Sequence, residues 1–137
     1  MSEKKIDLLN VGDSASFEKI ITNEDVICFA NVSGDNNPIH LDEEAGRNSI
    51  FGRRVVHGAL INSLFSGILG TQLPGNGCIY LKQETKFTAP TYINDQVIAR
   101  VEITDIDKEK GRVTLKTEAV TSDGRLVATG FALILVK

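Results

Sequence analysis

One stretch of eight residues concentrates the polar chemistry of this chain: Ser33-Gly34-Asp35-Asn36-Asn37-Pro38-Ile39-His40. A carboxylate and an imidazole held together can do general acid–base work on one water. Asp35 and His40 cannot share a helix face, because Pro38 lacks a backbone donor and disfavours helical backbone at Asn37. A turn around Asn36-Asn37-Pro38 would fold the chain back and bring the two side chains together. The same residues also suit a purely local role, with Asp35 and Asn36 making Asx turns after one helix and His40 capping the next. Residue types alone leave both roles open. With two histidines in the chain and no third ligand at a metal-binding spacing, no metal site is expected.

Two further places could serve such a pair. At His57-Gly58 an apolar run begins, and a glycine in the first turn of a helix lets a ligand approach free backbone N–H groups at the positive end of the helix dipole. An oxyanion fits there, although every helix start offers free N–H groups. Ser66 lies mid-run in Leu64-Phe65-Ser66-Gly67-Ile68, which is not a nucleophile elbow. It can bond back to a carbonyl one turn earlier or donate to a nearby carboxylate.

The elements that must position these residues follow from the pattern. Residues 13–22 alternate as a first strand. Thr22 or Asn23 then caps a helix with Glu24 and Asp25 in its first turn and Val26, Phe29 and Ala30 on one face; Gly34 stops it. Asp35 therefore sits just past a helix end. A short helix is expected in LDEEAGRNS, then a loop, then a helix from His57 or Gly58 to before Pro74, buried on nearly all sides. Four alternating strands follow, in CIYLKQETKFTAP, DQVIARVEITDID, RVTLKTEAVTS and RLVATGFALILVK, with turns at DKEKG and SDG. There is no βαβ repeat, so an α+β fold is expected: an antiparallel sheet wrapped around one long helix, with a second copy completing the burial.

Composition sets bounds. The chain has 137 residues, enough for a single domain (1–137) with one core, and a net charge of −3. No nucleic-acid partner is expected from that charge or from the few aromatics. Pro74-Gly75-Asn76-Gly77 and scattered polar residues break the uncharged run from Val55 to Leu81, so no membrane span is expected. The two cysteines, Cys28 and Cys78, match no zinc or redox spacing, and the charged N-terminus lacks a secretory core. A cytoplasmic protein with reduced, mostly buried thiols is expected.

Phe29, the Ser33–His40 stretch and Ala45 together resemble the hydratase-2 motif of the MaoC-like (R)-specific enoyl-CoA hydratases. The block VVHGALINSLFSGILGTQLPGNGCIYL also resembles that family, especially its short single-domain bacterial members. The resemblance runs from about Val26 through the last strand. It implies a hot-dog fold, a homodimer, and hydration of trans-2-enoyl-CoA to (R)-3-hydroxyacyl-CoA with the reverse dehydration. It implies Asp35 and His40 as the catalytic pair, Gly58 as the oxyanion N–H, Ser66 and Asn37 in support, and short acyl chains in a pocket whose depth Leu69 limits. Acyl-CoA, or an acyl carrier protein thioester, would be the substrate, with no cofactor. Arg53, Arg54, Lys82 and Lys86 are available for the CoA phosphates. A hot-dog thioesterase and a non-catalytic acyl-thioester-binding module are the competing readings.

Overall fold

The computed structural model describes residues 4–137. A single 3-10 turn, Lys5–Leu8, precedes strand β1 (Ser14–Ile20). Three helices follow: α1 (Asn23–Ser33), α2 (Pro38–Leu41) and α3 (Glu43–Arg47). Then come α4 (Gly58–Thr71) and strands β2 (Ile79–Phe87), β3 (Gln96–Asp107), β4 (Arg112–Thr121) and β5 (Leu126–Leu135). The strands form one antiparallel sheet in the order β1-β3-β4-β5-β2. Helix α4 packs against both edge strands, β1 and β2, and against β3 and β5 between them. One helix can touch both edges only if the sheet curls round it, and the right-handed twist of strands supplies that curl.

The expected alternation sets the inner face of the sheet. Val97, Ala99, Val101 and Ile103 of β3, and Val113, Leu115 and Ala119 of β4, are fully buried against Leu60, Ile61, Leu64, Phe65, Ile68 and Leu69 of α4. Each such side chain contributes roughly 1.5–3 kcal/mol by leaving water. The hairpin turns fall where Gly111 and Gly124 adopt positive φ, 71° and 92°.

Two expectations are corrected. Helix α4 is buried along one side only: Ala59, Ser63, Ser66, Gly67 and Gly70 form an exposed face. These small residues recur at helical spacing, so the helix has a narrow second face that one sheet cannot cover. Cys28 is exposed, because the inward face of α1 is taken by Val26 and Ala30; both cysteines are free. Among the described residues no helix is long and apolar enough to cross a membrane.

The β2–β5 pairing depends on Gly130, which pairs with Thr85. A Cβ there would lie 1.8 Å from the Glu84 carbonyl oxygen, so backbone would have to move. Gly130→Ala is expected to destabilise the fold by at least about 1–3 kcal/mol. A denaturant titration with an unchanged midpoint would contradict that close approach.

Candidate active site

The Ser33–His40 stretch makes local turn bonds, through Asp35 and Asn37 and not Asn36, and the same turn brings Asp35 and His40 together. Gly34 ends α1 in the left-handed region (φ 80°), and its N–H donates to the Ala30 carbonyl. Ser33 Oγ accepts from the Asp35 N–H at 3.1 Å. Asp35 Oδ1 accepts from the Asn37 N–H at 3.2 Å, and Asn37 Oδ1 accepts from the Ile39 N–H at 3.2 Å, capping α2 with Pro38 in its first turn. One Asp35 oxygen thus builds the turn, and the other, Oδ2, faces His40 Nε2 at 3.9 Å. That gap is too long for a direct hydrogen bond. His40 caps nothing and does not lie outside regular structure: it sits in the one-turn helix α2, and Asp42 caps α3.

The His40 ring is fixed from the opposite side. Its Nδ1 lies 2.7 Å from the Val55 carbonyl oxygen. A carbonyl only accepts, so Nδ1 carries the proton and the neutral ring keeps its lone pair on Nε2. The Val55 strand segment is itself anchored: its N–H donates to the Ile39 carbonyl and it bridges Tyr92. Arg54 closes the frame. Its Nε donates to the His40 carbonyl at 2.7 Å, Nη2 to Asn23 Oδ1 at 2.6 Å and Nη1 to Glu43 Oε1 at 3.1 Å. One guanidinium therefore ties α1, α2 and α3 around the imidazole. Arg54 is committed to this frame, unlike the exposed Arg53, which stacks on the Tyr92 ring at 3.5 Å.

A cavity of about 470 Å³ opens beside His40, and Asn37, Gly58, Ile61, Phe87 and Val127 are among the other residues that line it; Asp35 is not one of them. The Gly58 N–H stands at the first position of α4, where no intrahelical acceptor exists, and no backbone bond outside the helix takes it up. A Cβ at Gly58 would come within 3.1 Å of the Phe87 ring. Glycine thus keeps both the ring and the N–H accessible.

Two expected site residues lie elsewhere. Leu69 is 1% exposed, is packed in the core and does not line the cavity; Ile61, Phe87 and Val127 form its apolar wall. About three turns past Gly58, Leu69 lies on the buried stripe of α4 and packs into the core. Ser66 is on the exposed face of α4, about 12 Å along the axis from Gly58 at ~1.5 Å per residue, and makes no hydrogen bond to Asp35 within the chain.

His57 was not among the expected site residues. It is 1% exposed and stacks on His40, with ring centroids 3.8 Å apart and planes at 27°. Its Nε2 lies 3.0 Å from the Asp35 carbonyl oxygen. The signal that marks it in the sequence is that it is the second of two histidines and adjoins Gly58. Asp35, His40 and His57 offer donor atoms within 4.8 Å of one another. They do not fit a metal ion. Imidazole lone pairs lie in the ring plane, so two stacked rings do not aim at one ion ~2.0–2.1 Å from each.

A profile described as a MaoC like domain matches residues 10–124. The chain belongs to the MaoC-like family. It is 44% identical to an (R)-specific enoyl-CoA hydratase of Aeromonas caviae over 92% of this chain and 94% of that protein. It is 41% identical to an (R)-specific enoyl-CoA hydratase of Rhodospirillum rubrum over 91% and 86% of the two chains. The solved (R)-hydratase from A. caviae involved in PHA biosynthesis superposes with a TM-score of 0.91 at 43% identity, covering 94% of this chain and 98% of that one. The curled sheet around α4 is the hot-dog fold of these family members.

Two outcomes test this geometry. Arg54→Lys keeps the charge but loses the fork, and the fold is expected to lose about 2 kcal/mol, at ~1.5–3 kcal/mol per hydrogen bond to a charged group. Equal denaturation midpoints would show that Arg54 does not hold the frame. Burial holds the His57 pKa below the ordinary imidazole value, against the Asp35 carbonyl bond that raises it. As pH falls below that ordinary value, the unfolded chain binds a proton here that the folded chain refuses, so stability falls; above it His57 contributes no pH dependence. Wild type is expected to lose stability on acidification more steeply than His57→Gln, in denaturant titrations between about pH 7 and 5.

Proposed function

We propose that the protein adds water across trans-2-enoyl-CoA to give (R)-3-hydroxyacyl-CoA, and runs the reverse dehydration, with Asp35 and His40 as the catalytic pair. The observation that carries the reading is the bare Nε2 of His40, a residue that lines a cavity together with Gly58, facing Asp35 Oδ2 at 3.9 Å. An ionised Asp35 and a neutral His40 are both acceptors. A water between them donates one hydrogen to each and turns its oxygen lone pairs to the cavity. The enoyl thioester lies there with its carbonyl oxygen at the Gly58 N–H. That donor and the α4 dipole stabilise the enolate oxygen that develops as C3 is attacked.

The proton count closes within the pair. The water oxygen bonds to C3, one water proton passes to the dyad, and the same proton returns to C2 on the same face. The second water proton stays on the new hydroxyl. Nothing in this sequence is oxidised or reduced, and the acyl-CoA is the substrate with no separate cofactor. The apolar wall of Ile61, Phe87 and Val127 and the size of the cavity suit a short acyl chain.

A homodimer completes this reading. Strand β2 is a sheet edge, and Ile79, Tyr80 and Leu81 on it are 51%, 38% and 42% exposed. An unpaired edge that carries apolar side chains is suited to pairing with a second copy.

Purified protein is expected to remove the enoyl absorbance of crotonyl-CoA without releasing free thiol, and chiral analysis should find the (R) product. Thiol release would favour a thioesterase, and no turnover would favour a binding module. Asp35→Asn and His40→Ala should each lower kcat by ~10²–10⁴. Near-normal turnover by folded Asp35→Asn protein would remove Asp35 from the chemistry. The same assay with the acyl carrier protein thioester decides which handle is preferred.

A further inference from the structure

Behind the pair lies a second imidazole that the reaction does not consume. His57 ends the strap that begins at Arg54 and caps α4, whose first N–H belongs to Gly58. Its ring packs against two others: Phe29 of α1, at 5.0 Å between centroids and a tilt of 56°, and His40 of α2, stacked at 3.8 Å. Its Nε2 is 3.0 Å from the Asp35 carbonyl oxygen, so Nε2 carries a proton and donates. Its Nδ1 is buried and has no hydrogen-bond partner.

We propose that His57 is a positioning residue for the Asp35–His40 pair, holding the Asp35 main chain by its Nε2–H and the His40 ring by its face. The inference rests on the hydratase reading above. The two contacts act on the two ends of the same 3.9 Å gap. Turning the His57 ring would shift both the carboxylate and the imidazole. Because His57 immediately precedes Gly58, it also sets where the oxyanion N–H stands relative to the pair.

Neutrality is part of that role. Protonating Nδ1 would bury an N–H with no acceptor and place a charge against the His40 ring. The titratable groups that face His57 are Asp35 and His40; Phe29, from α1, carries no charge. Desolvation outweighs the two contributions of Asp35 and holds the His57 pKa low, and His40 pushes it the same way. A neutral His57 leaves His40 free to take a proton and return it without a second cation beside it. The two rings thereby hold opposite tautomers: His40 is protonated on Nδ1 toward Val55, and His57 on Nε2 toward Asp35.

The chain has only two histidines, so imidazole nitrogen spectra of the untagged protein are readable ring by ring. His57→Phe leaves one signal and thereby assigns both. In wild type, His57 is expected as the Nε2–H tautomer, and to take up a proton only below the ordinary imidazole range. A His57 that titrates with ordinary imidazole behaviour, or that shows the Nδ1–H tautomer, would overturn the inference. In turnover of crotonyl-CoA, His57→Phe keeps a stacking ring but loses the donor. It is expected to lower kcat by about 10- to 100-fold with KM nearly unchanged, a loss in line with ~10²-fold for a 1 Å misplacement, and to move the acid limb of the kcat profile. His57→Gln restores a donor at the Nε2 position and is expected to recover part of the rate. Wild-type kcat and pH profile in folded His57→Phe would overturn the inference. A wild type that leaves crotonyl-CoA untouched would instead sink the hydratase reading. Should His57→Phe fail to fold, the wild-type spectra and His57→Gln kinetics decide, since a purely structural residue would leave the pH profile of His57→Gln unmoved.

Discussion

The site depends on one hydrogen bond, from His40 Nδ1 to the Val55 carbonyl. It settles which nitrogen of the imidazole is bare and points that nitrogen at Asp35. Everything around it secures one of its two partners. Arg54 holds the His40 carbonyl, the Ile39 carbonyl holds the Val55 N–H, and the bridge to Tyr92 attaches the Val55 segment to the end of the sheet region. A ring held on one nitrogen by a carbonyl that is itself fixed can exchange a proton on the other without turning. That is the requirement for an acid–base group that must accept and return the same proton.

The Ser33–His40 stretch shows how one carboxylate can build a turn and still present an oxygen to a neighbouring imidazole. A carboxylate has two oxygens and about four acceptor sites. Asp35 spends Oδ1 on the Asn37 N–H, which sets the turn, and leaves Oδ2 for the gap to His40. The turn that looks merely local is the device that aims the free oxygen. Asn37 repeats the economy, capping α2 with its side chain while lining the cavity. Pro38 at the first helical position fixes where α2 begins, which places His40 about one turn from the cap.

The sheet and α4 serve this arrangement from a distance. Curling the sheet round α4 places the helix N-terminus, and so Gly58, beside the strap from Arg54 to His57. The Phe87 ring on β2 and Val127 on β5 close the cavity from the sheet side. Space favours glycine at position 58, because a Cβ would come within 3.1 Å of the Phe87 ring.

Much of the fold was legible in sequence because it rests on periodicity. The alternation in β3 and β4, the stop at Gly34, the Asp123-Gly124 turn and the start of α4 at Gly58 are all short-range signals. The pair Asp35 and His40 was legible for a similar reason: both lie in one turn, and the resemblance to hydratase-2 sequences covers that turn. What sequence could not supply were facts that depend on which segments meet. Leu69 and Ser66 sit on α4 at positions whose facing depends on how the sheet wraps the helix, and neither lines the cavity. Arg54 looked like one of four surface cations until the tertiary structure set it between Asn23 and His40, and His57 looked like a helix start until the fold stacked it on His40. Local rules act over a few residues, so they fix elements and turns; the partners of a side chain are chosen by packing across 15 to 31 residues of intervening chain, which no local pattern encodes.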